Sequence, residues 1–158
     1  VAAVGTLATL SLSSPLLDAA WRAAGIRIGD RTARADLDGL LTAPDWDLAL
    51  VLSPFKGQAT GRCDRLAPRA AATGVVDTLV RADGEVVGYN TNSHAWAAAA
   101  TRLMGSDVPE RILVVGSGAT ARSVTFGALQ TFPRARTGVA ARSRAAAAAL
   151  VSEHAGSE

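Results

Sequence analysis

Lys56 is the sole lysine in a chain that carries 16 basic residues, the remainder being arginine. A guanidinium keeps its proton at any ordinary pH, whereas an ammonium in the right surroundings can release one. Arginine everywhere except at position 56 suits proton exchange there, and it equally suits a lysine that survived a compositional bias; residue type alone leaves both open. A second chemical signal is Gly116-Ser117-Gly118-Ala119-Thr120-Ala121, which follows the apolar run Arg111–Val115. The first glycine allows a tight turn, the second lets a pyrophosphate approach the backbone, and Ala121 lets a helix pack closely on a strand. A helix starting there would turn unsatisfied N–H groups and a positive dipole end toward phosphates. A plain structural turn is the alternative, but a strand before and a helix after are the context that dinucleotide binding requires. Further on stand Arg142, Ser143 and Arg144, with no carboxylate, at the end of the next expected strand. An NAD site places an acid there, whereas arginine suits the 2′-phosphate of NADP. Solvated arginines at a helix start are the alternative, although the helix dipole disfavours them. NADP is the expected cofactor.

These residues need a frame. Val1–Val4 with Gly5 predicts a buried strand and a tight turn. Thr9–Pro15 reads as a polar loop, with Ser14 capping a helix that Pro15 opens and Gly25 stops. A second helix is expected over Arg34–Leu41, ended by Pro44. Leu48–Leu52 is a continuous apolar run, the pattern of a strand buried on both faces, and Ser53-Pro54-Phe55-Lys56-Gly57 breaks it. Asp64–Ala72 suits a short helix that Pro68 weakens. Asp77–Arg81 and Glu85–Tyr89 flank Ala82-Asp83-Gly84 and predict a hairpin. Thr91–Met104 is a helix, with Thr91 or Ser93 as cap and Gly105 as stop, and Ser106–Glu110 is a link. Beyond it come the strand Arg111–Val115, the glycine turn, a helix over Arg122–Thr131, a weaker strand Thr137–Ala141 and a helix from Ser143 to about Glu153. This is a βαβ unit. The expected domains are residues 1–105 and 110–158.

The 158 residues suit one average domain or two small ones, and 49% hydrophobic residues suffice for a core. A net charge of +2 with scattered arginines gives no stripe for nucleic acid. Cys63 is single, so it forms no internal disulfide and is read as a small buried hydrophobe. His94 is read as a surface residue, His154 carries no role, and two distant histidines with one cysteine make no metal site. No apolar stretch approaches the roughly 20 residues that span a bilayer, and no signal peptide is visible. A cytoplasmic protein is expected. The start at Val1 is compatible with a segment upstream, and the end after two strands of a parallel sheet leads us to expect a piece of a longer protein or a truncated gene product.

Taken together, these segments resemble the shikimate dehydrogenase family over nearly the whole chain and in the family's order. The carrying residues are Gly5 with Ser11 and Ser13, Ala19-Ala20-Trp21, Ser53-Pro54-Phe55-Lys56, Gly74-Val75-Val76-Asp77-Thr78, Tyr89-Asn90-Thr91-Asn92, the glycine turn and Arg142-Ser143. The resemblance implies an α/β fold: a substrate-binding lobe followed by an incomplete Rossmann-like, doubly wound parallel sheet. It implies NADP-dependent interconversion of 3-dehydroshikimate and shikimate by the full-length protein, with a small cyclic hydroxy acid as substrate and a homodimer compatible with it. Lys56 falls on the catalytic lysine and Asn92 on the catalytic aspartate. Ser11, Ser13, Asp77, Thr78 and Asn90 fall on substrate contacts. Gly116 to Ala121, that is Gly116, Ser117, Gly118, Ala119, Thr120 and Ala121, with Arg142 and Ser143, fall on cofactor contacts. The chain departs from the family's pattern at Asn92, at Asp77 (an asparagine there), and at Leu50 and Leu52 (asparagine and threonine). Each departure alters a polar contact to a hydroxylated ring. The alternatives are a degenerate paralogue acting on another cyclic hydroxy acid such as quinate, or a non-catalytic module that holds a nucleotide or small acid.

Overall fold

Ala2, Ala3 and Val4 are fully buried small residues, and they form β1 (Ala2–Val4), an inner strand of the first of two sheets. The computed structural model describes residues 1–155, and the side chain of His154 lies outside the described residues. The chain divides by its contacts into two compact units, Val1–Tyr89 and the residues from Asn90 onward.

The first unit holds α1 (Ala8–Leu12), α2 (Pro15–Ala23), β2 (Thr32–Arg34), α3 (Leu37–Thr42) and β3 (Leu48–Val51). It continues with a single 3-10 turn over Gln58–Arg62, then β4 (Arg65–Leu66), α4 (Pro68–Thr73), β5 (Thr78–Ala82) and β6 (Glu85–Tyr89). The sheet runs β2-β1-β3-β5-β6-β4, with β2, β1 and β3 parallel and β5 antiparallel to both of its neighbours. On one face Val4, Leu40, Trp46, Val51 and Leu79 make the main core; on the other, Ala3, Ala8 and Leu12 pack with Leu50 and Leu52. The strand expected at Leu48–Leu52 is therefore covered on both sides, as its continuous apolar run demanded. The hairpin turns on Asp83 and Gly84, with φ of 52° and 81°, the two left-handed residues that a two-residue turn requires.

Four local expectations are corrected. The loop expected over Thr9–Pro15 is helical as far as Leu12, because its polar letters hide an apolar pair, Ala8 and Leu12, four residues apart and both buried. The helix expected from Arg34 begins at Leu37, since Asp36 caps it by accepting a bond from the Gly39 amide at 2.7 Å, and Thr32–Arg34 becomes an edge strand. Pro68 opens α4 at its first turn, where the missing N–H costs nothing, and Gly74 at φ 60° stops it. The helix expected from Arg122 begins three residues earlier, at Ala119, because Gly118 takes an extended conformation as its cap.

The second unit holds α5 (Asn92–Met104), β7 (Arg111–Val115), α6 (Ala119–Thr131), β8 (Arg136–Ala140) and α7 (Arg144–Ala155). Strands β7 and β8 pair in parallel from Arg111↔Arg136 to Val115↔Ala140, the expected crossover through α6. Val114 is buried, whereas Leu113 and Val115, on the opposite face of β7, are exposed. Helix α5 packs on α6 across Gly127, with Trp96 meeting Phe132 edge-on at 6.3 Å between centroids. A Cβ on Gly127 would stand 2.7 Å from the Ser93 carbonyl oxygen and 3.3 Å from Trp96. In an exposed helix, alanine for glycine is stabilising. Here Gly127→Ala should instead destabilise the unit by about 1–3 kcal/mol, the cost of overpacking. Urea unfolding followed by circular dichroism measures it, and a gain in stability would contradict the close packing.

Candidate functional site

In the second unit the glycine turn is built as a backbone cradle. Gly116 adopts φ 124°, a conformation side chains resist, and its N–H donates to the Ala140 carbonyl at 2.8 Å. That bond ties the turn to the end of β8 and so to Arg142 and Ser143. Ala121 is buried facing Gly116, whose added Cβ would lie 3.5 Å from that of Ala121, while a Cβ on Gly118 would meet open space. Gly118 caps α6, Ala119 and Thr120 form its first turn, and the Gly118 carbonyl accepts from the Arg122 amide at 3.0 Å. An open cleft of about 950 Å³ is lined by Gly116, Ser117, Gly118, Arg142 and Ser143 among others. Arg142 is exposed. Ser143 caps α7, its Oγ accepting from the Ala146 amide at 3.2 Å. The structure thus gathers the phosphate cradle and the arginine into one concavity, which is how an anionic dinucleotide would be held.

In the first unit Lys56 lies in the loop after β3, next to the Ser53–Pro54 peptide bond, which is cis. It is buried, and its carbonyl accepts from the Val76 amide at 2.9 Å. That bond sets the lysine loop beside Asp77. Burial lowers the Lys56 pKa from the ordinary lysine value, and the negative charge of Asp77 partly opposes the shift. Asp77 is itself buried, just ahead of β5, with its N–H donating to Tyr89 and its carbonyl accepting from Val51. Its Oδ1 accepts from the Thr78 hydroxyl at 3.0 Å.

Asn90 and Asn92 open the second unit. The Asn90 Oδ1 accepts from the Ser93 amide at 3.2 Å, so Asn90 supplies the side-chain cap expected of Thr91 or Ser93. Its Nδ2 donates to Ser123 Oγ at 3.0 Å, and that hydroxyl donates in turn to the Ala119 carbonyl at 3.1 Å. Asn92 is the half-buried first residue of α5, and His94 is exposed one half-turn on.

Ser11 is a half-buried residue within α1. Ser13 ends that helix, with its hydroxyl donating to the carbonyls of Thr9 and Leu10 at 3.0 and 3.2 Å. A cavity of about 430 Å³ opens at the ends of β1 and β2 beside Thr6, Thr9 and Arg34, and neither serine lines it. The Cys63 thiol, half-buried and donating to the Ala59 carbonyl at 3.1 Å, has its pKa raised by burial and by the adjacent Asp64, which disarms it as a nucleophile. Among the described residues no cluster of three or more His, Cys, Asp or Glu could hold a metal ion, and no helix is long and apolar enough to cross a membrane.

No family profile matches the chain. Over 76 residues, 48% of the chain, it is 40% identical to the shikimate dehydrogenase (NADP(+)) of Syntrophomonas wolfei. The solved shikimate 5-dehydrogenase of Thermus thermophilus, in complex with NADP(H) and shikimate, superimposes on 98% of the chain with a TM-score of 0.79 and 25% identity. The chain is thus similar to shikimate dehydrogenases in both sequence and fold. The matched stretch spans 26% of the Syntrophomonas enzyme, and the chain spans 60% of the Thermus one. A quinate dehydrogenase from Corynebacterium glutamicum in complex with NAD shares the fold, with a TM-score of 0.81, 21% identity, and coverage of 96% of this chain and 57% of that one. The α/β architecture expected of a shikimate dehydrogenase, with its Rossmann-like second unit, is the one observed.

Two contributors escaped the sequence reading. Ser123 is fully buried mid-helix and holds Asn90; its only signal was a serine four residues before Gly127, on the small-residue stripe where α5 approaches. The electrostatic tie between Asp77 and Lys56 had no local signal, because the two lie far apart in sequence and the backbone bond from Val76 to Lys56 brings their segments together.

Proposed function

We propose that this protein is an NADP-dependent oxidoreductase that interconverts 3-dehydroshikimate and shikimate, a step toward chorismate and the aromatic amino acids. The observation that carries the cofactor half is the cleft that unites Gly116, Gly118 and Arg142. The Gly116 to Ala121 backbone would hold the pyrophosphate, and Arg142 with Ser143 the 2′-phosphate. NADP, when bound, supplies the acceptor or donor of hydride. The chain's own residues place the substrate and move its proton. Lys56 Nζ, kept deprotonatable by burial, takes the hydroxyl proton in oxidation and returns it in reduction. Asn92 would hydrogen-bond that hydroxyl without accepting its proton, and Thr78, Asn90, Ser11 and Ser13 would orient the ring and its carboxylate.

NADPH oxidation with 3-dehydroshikimate tests the proposal, followed by quinate-type analogues. Turnover with 3-dehydroshikimate is the expected result. The amide at position 92 and the leucines at 50 and 52 support a second reading, a paralogue that prefers another cyclic hydroxy acid. Turnover confined to the analogues would establish it, and NADPH binding without any turnover would leave a binding module.

Asn92→Asp separates these readings further. A carboxylate there accepts a hydrogen bond from the substrate hydroxyl and offers a second place for its proton, a contribution of about tenfold or more. Shikimate oxidation should rise on that scale. Unchanged or reduced rates would mean that Asn92 is adapted to a different substrate or to none.

A further inference from the structure

Lys56 and Asp77 are the only buried ionisable side chains among the described residues, at 7% and 5% exposure. Isolated buried charges are expensive, and two of opposite sign buried in one unit lower that cost for each other. Their backbones are joined: Lys56 accepts from Val76, and Asp77 is anchored to Tyr89 and Val51 on either side. The Thr78 hydroxyl holds one carboxylate oxygen in place.

We propose that Asp77 is a positioning residue for proton transfer, the counter-charge that receives the ammonium formed on Lys56 in each turnover. This rests on the role given to Lys56 above and replaces a passive substrate contact at position 77 with an electrostatic one. In the oxidative direction the substrate O–H bond breaks and its proton joins the Nζ lone pair, while the C–H electron pair leaves as hydride to the nicotinamide and a carbonyl forms. The amine becomes an ammonium inside the protein, and the fixed carboxylate of Asp77 compensates the new charge without any further ion entering. In reduction the same pair holds the ammonium ready as the acid. The negative charge of Asp77 opposes the effect of burial on Lys56 and acts to hold the proton on.

The unique lysine makes the test direct. Lysine labelled with ¹³C at Cε gives a single side-chain signal, whose titration reports Lys56 in this chain without any assay of activity. The Lys56 midpoint should lie below that of a free lysine. Asp77→Asn should lower it by a further pH unit or so, the ordinary effect of removing a nearby opposite charge. Asp77→Glu, which keeps the charge, should return it toward the starting value. The limb of the reductive pH–rate profile that follows the ammonium should move down with the midpoint in Asp77→Asn. A midpoint unchanged by asparagine, or a glutamate variant that titrates like asparagine, would overturn the proposal. If the midpoint moves as expected and no variant turns over substrate, the charge pair stands and the dehydrogenase reading falls.

Discussion

Lys56→Ala should lower turnover by about 10²- to 10⁴-fold while leaving nucleotide affinity at the glycine-turn cleft unchanged. The split between the two readouts follows from placement: Lys56 sits in the loop after β3 in the first unit, whereas the cradle and Arg142 belong to the second. Lys56→Arg should not restore turnover, because arginine retains its proton where lysine releases it. The pH dependence has a definite sign. Burial lowers the folded-state pKa of Lys56, so the free amine appears at a lower pH than in an ordinary lysine, and the oxidative limb should lie below that range. Between the folded and unfolded midpoints the unfolded chain binds more protons, so stability should rise with pH across that window and flatten above it. Steady-state rates with calorimetric NADPH titrations decide the matter. A fully active arginine variant would remove Lys56 from proton transfer.

Arg142→Ala should erase most of a preference for NADPH over NADH. A charge-assisted bond between a guanidinium and a phosphate contributes roughly 1.5–3 kcal/mol, a preference on the order of tenfold to a hundredfold. The arginine is exposed, and among the described residues no carboxylate lines its cleft to receive a ribose hydroxyl. The Gly116–Ala140 bond holds β8's end against the turn, so the variant should leave the cradle's geometry and its NADH affinity nearly intact. Calorimetric titration of both nucleotides into both forms gives the numbers. Equal affinities for the two nucleotides in the unmutated chain would remove the assignment.

Much of this was legible in the residues because the signals were local. The glycine turn carries its own backbone requirement, and Asp83-Gly84 could form little but a tight hairpin. Leu48–Val51 announced its burial by an unbroken apolar run. What escaped depends on tertiary partners. Thr9–Leu12 looked polar until Ala8 and Leu12 found Ala3 to pack on, and Thr32–Arg34 became a strand only because β1 lay alongside. That Asn90, besides capping α5, also holds Ser123 depends on α6, further along the chain. The Asp77–Lys56 tie spans positions that no periodicity could connect.

The seam between α5 and α6 bears on which stretch of this chain can travel as one piece. Ser93 and Ser123 are wholly buried, the Gly127 backbone lies under the Ser93 carbonyl, and Phe132 rests edge-on to Trp96. A piece begun at Glu110 would bare that flank of α6 and leave Ser123 without Asn90, whereas one begun at Asn90 carries its own lining. In recombination between relatives, α5 would therefore be inherited with the nucleotide cradle, although it precedes the link. Residue 92 and the phosphate turn would change hands together.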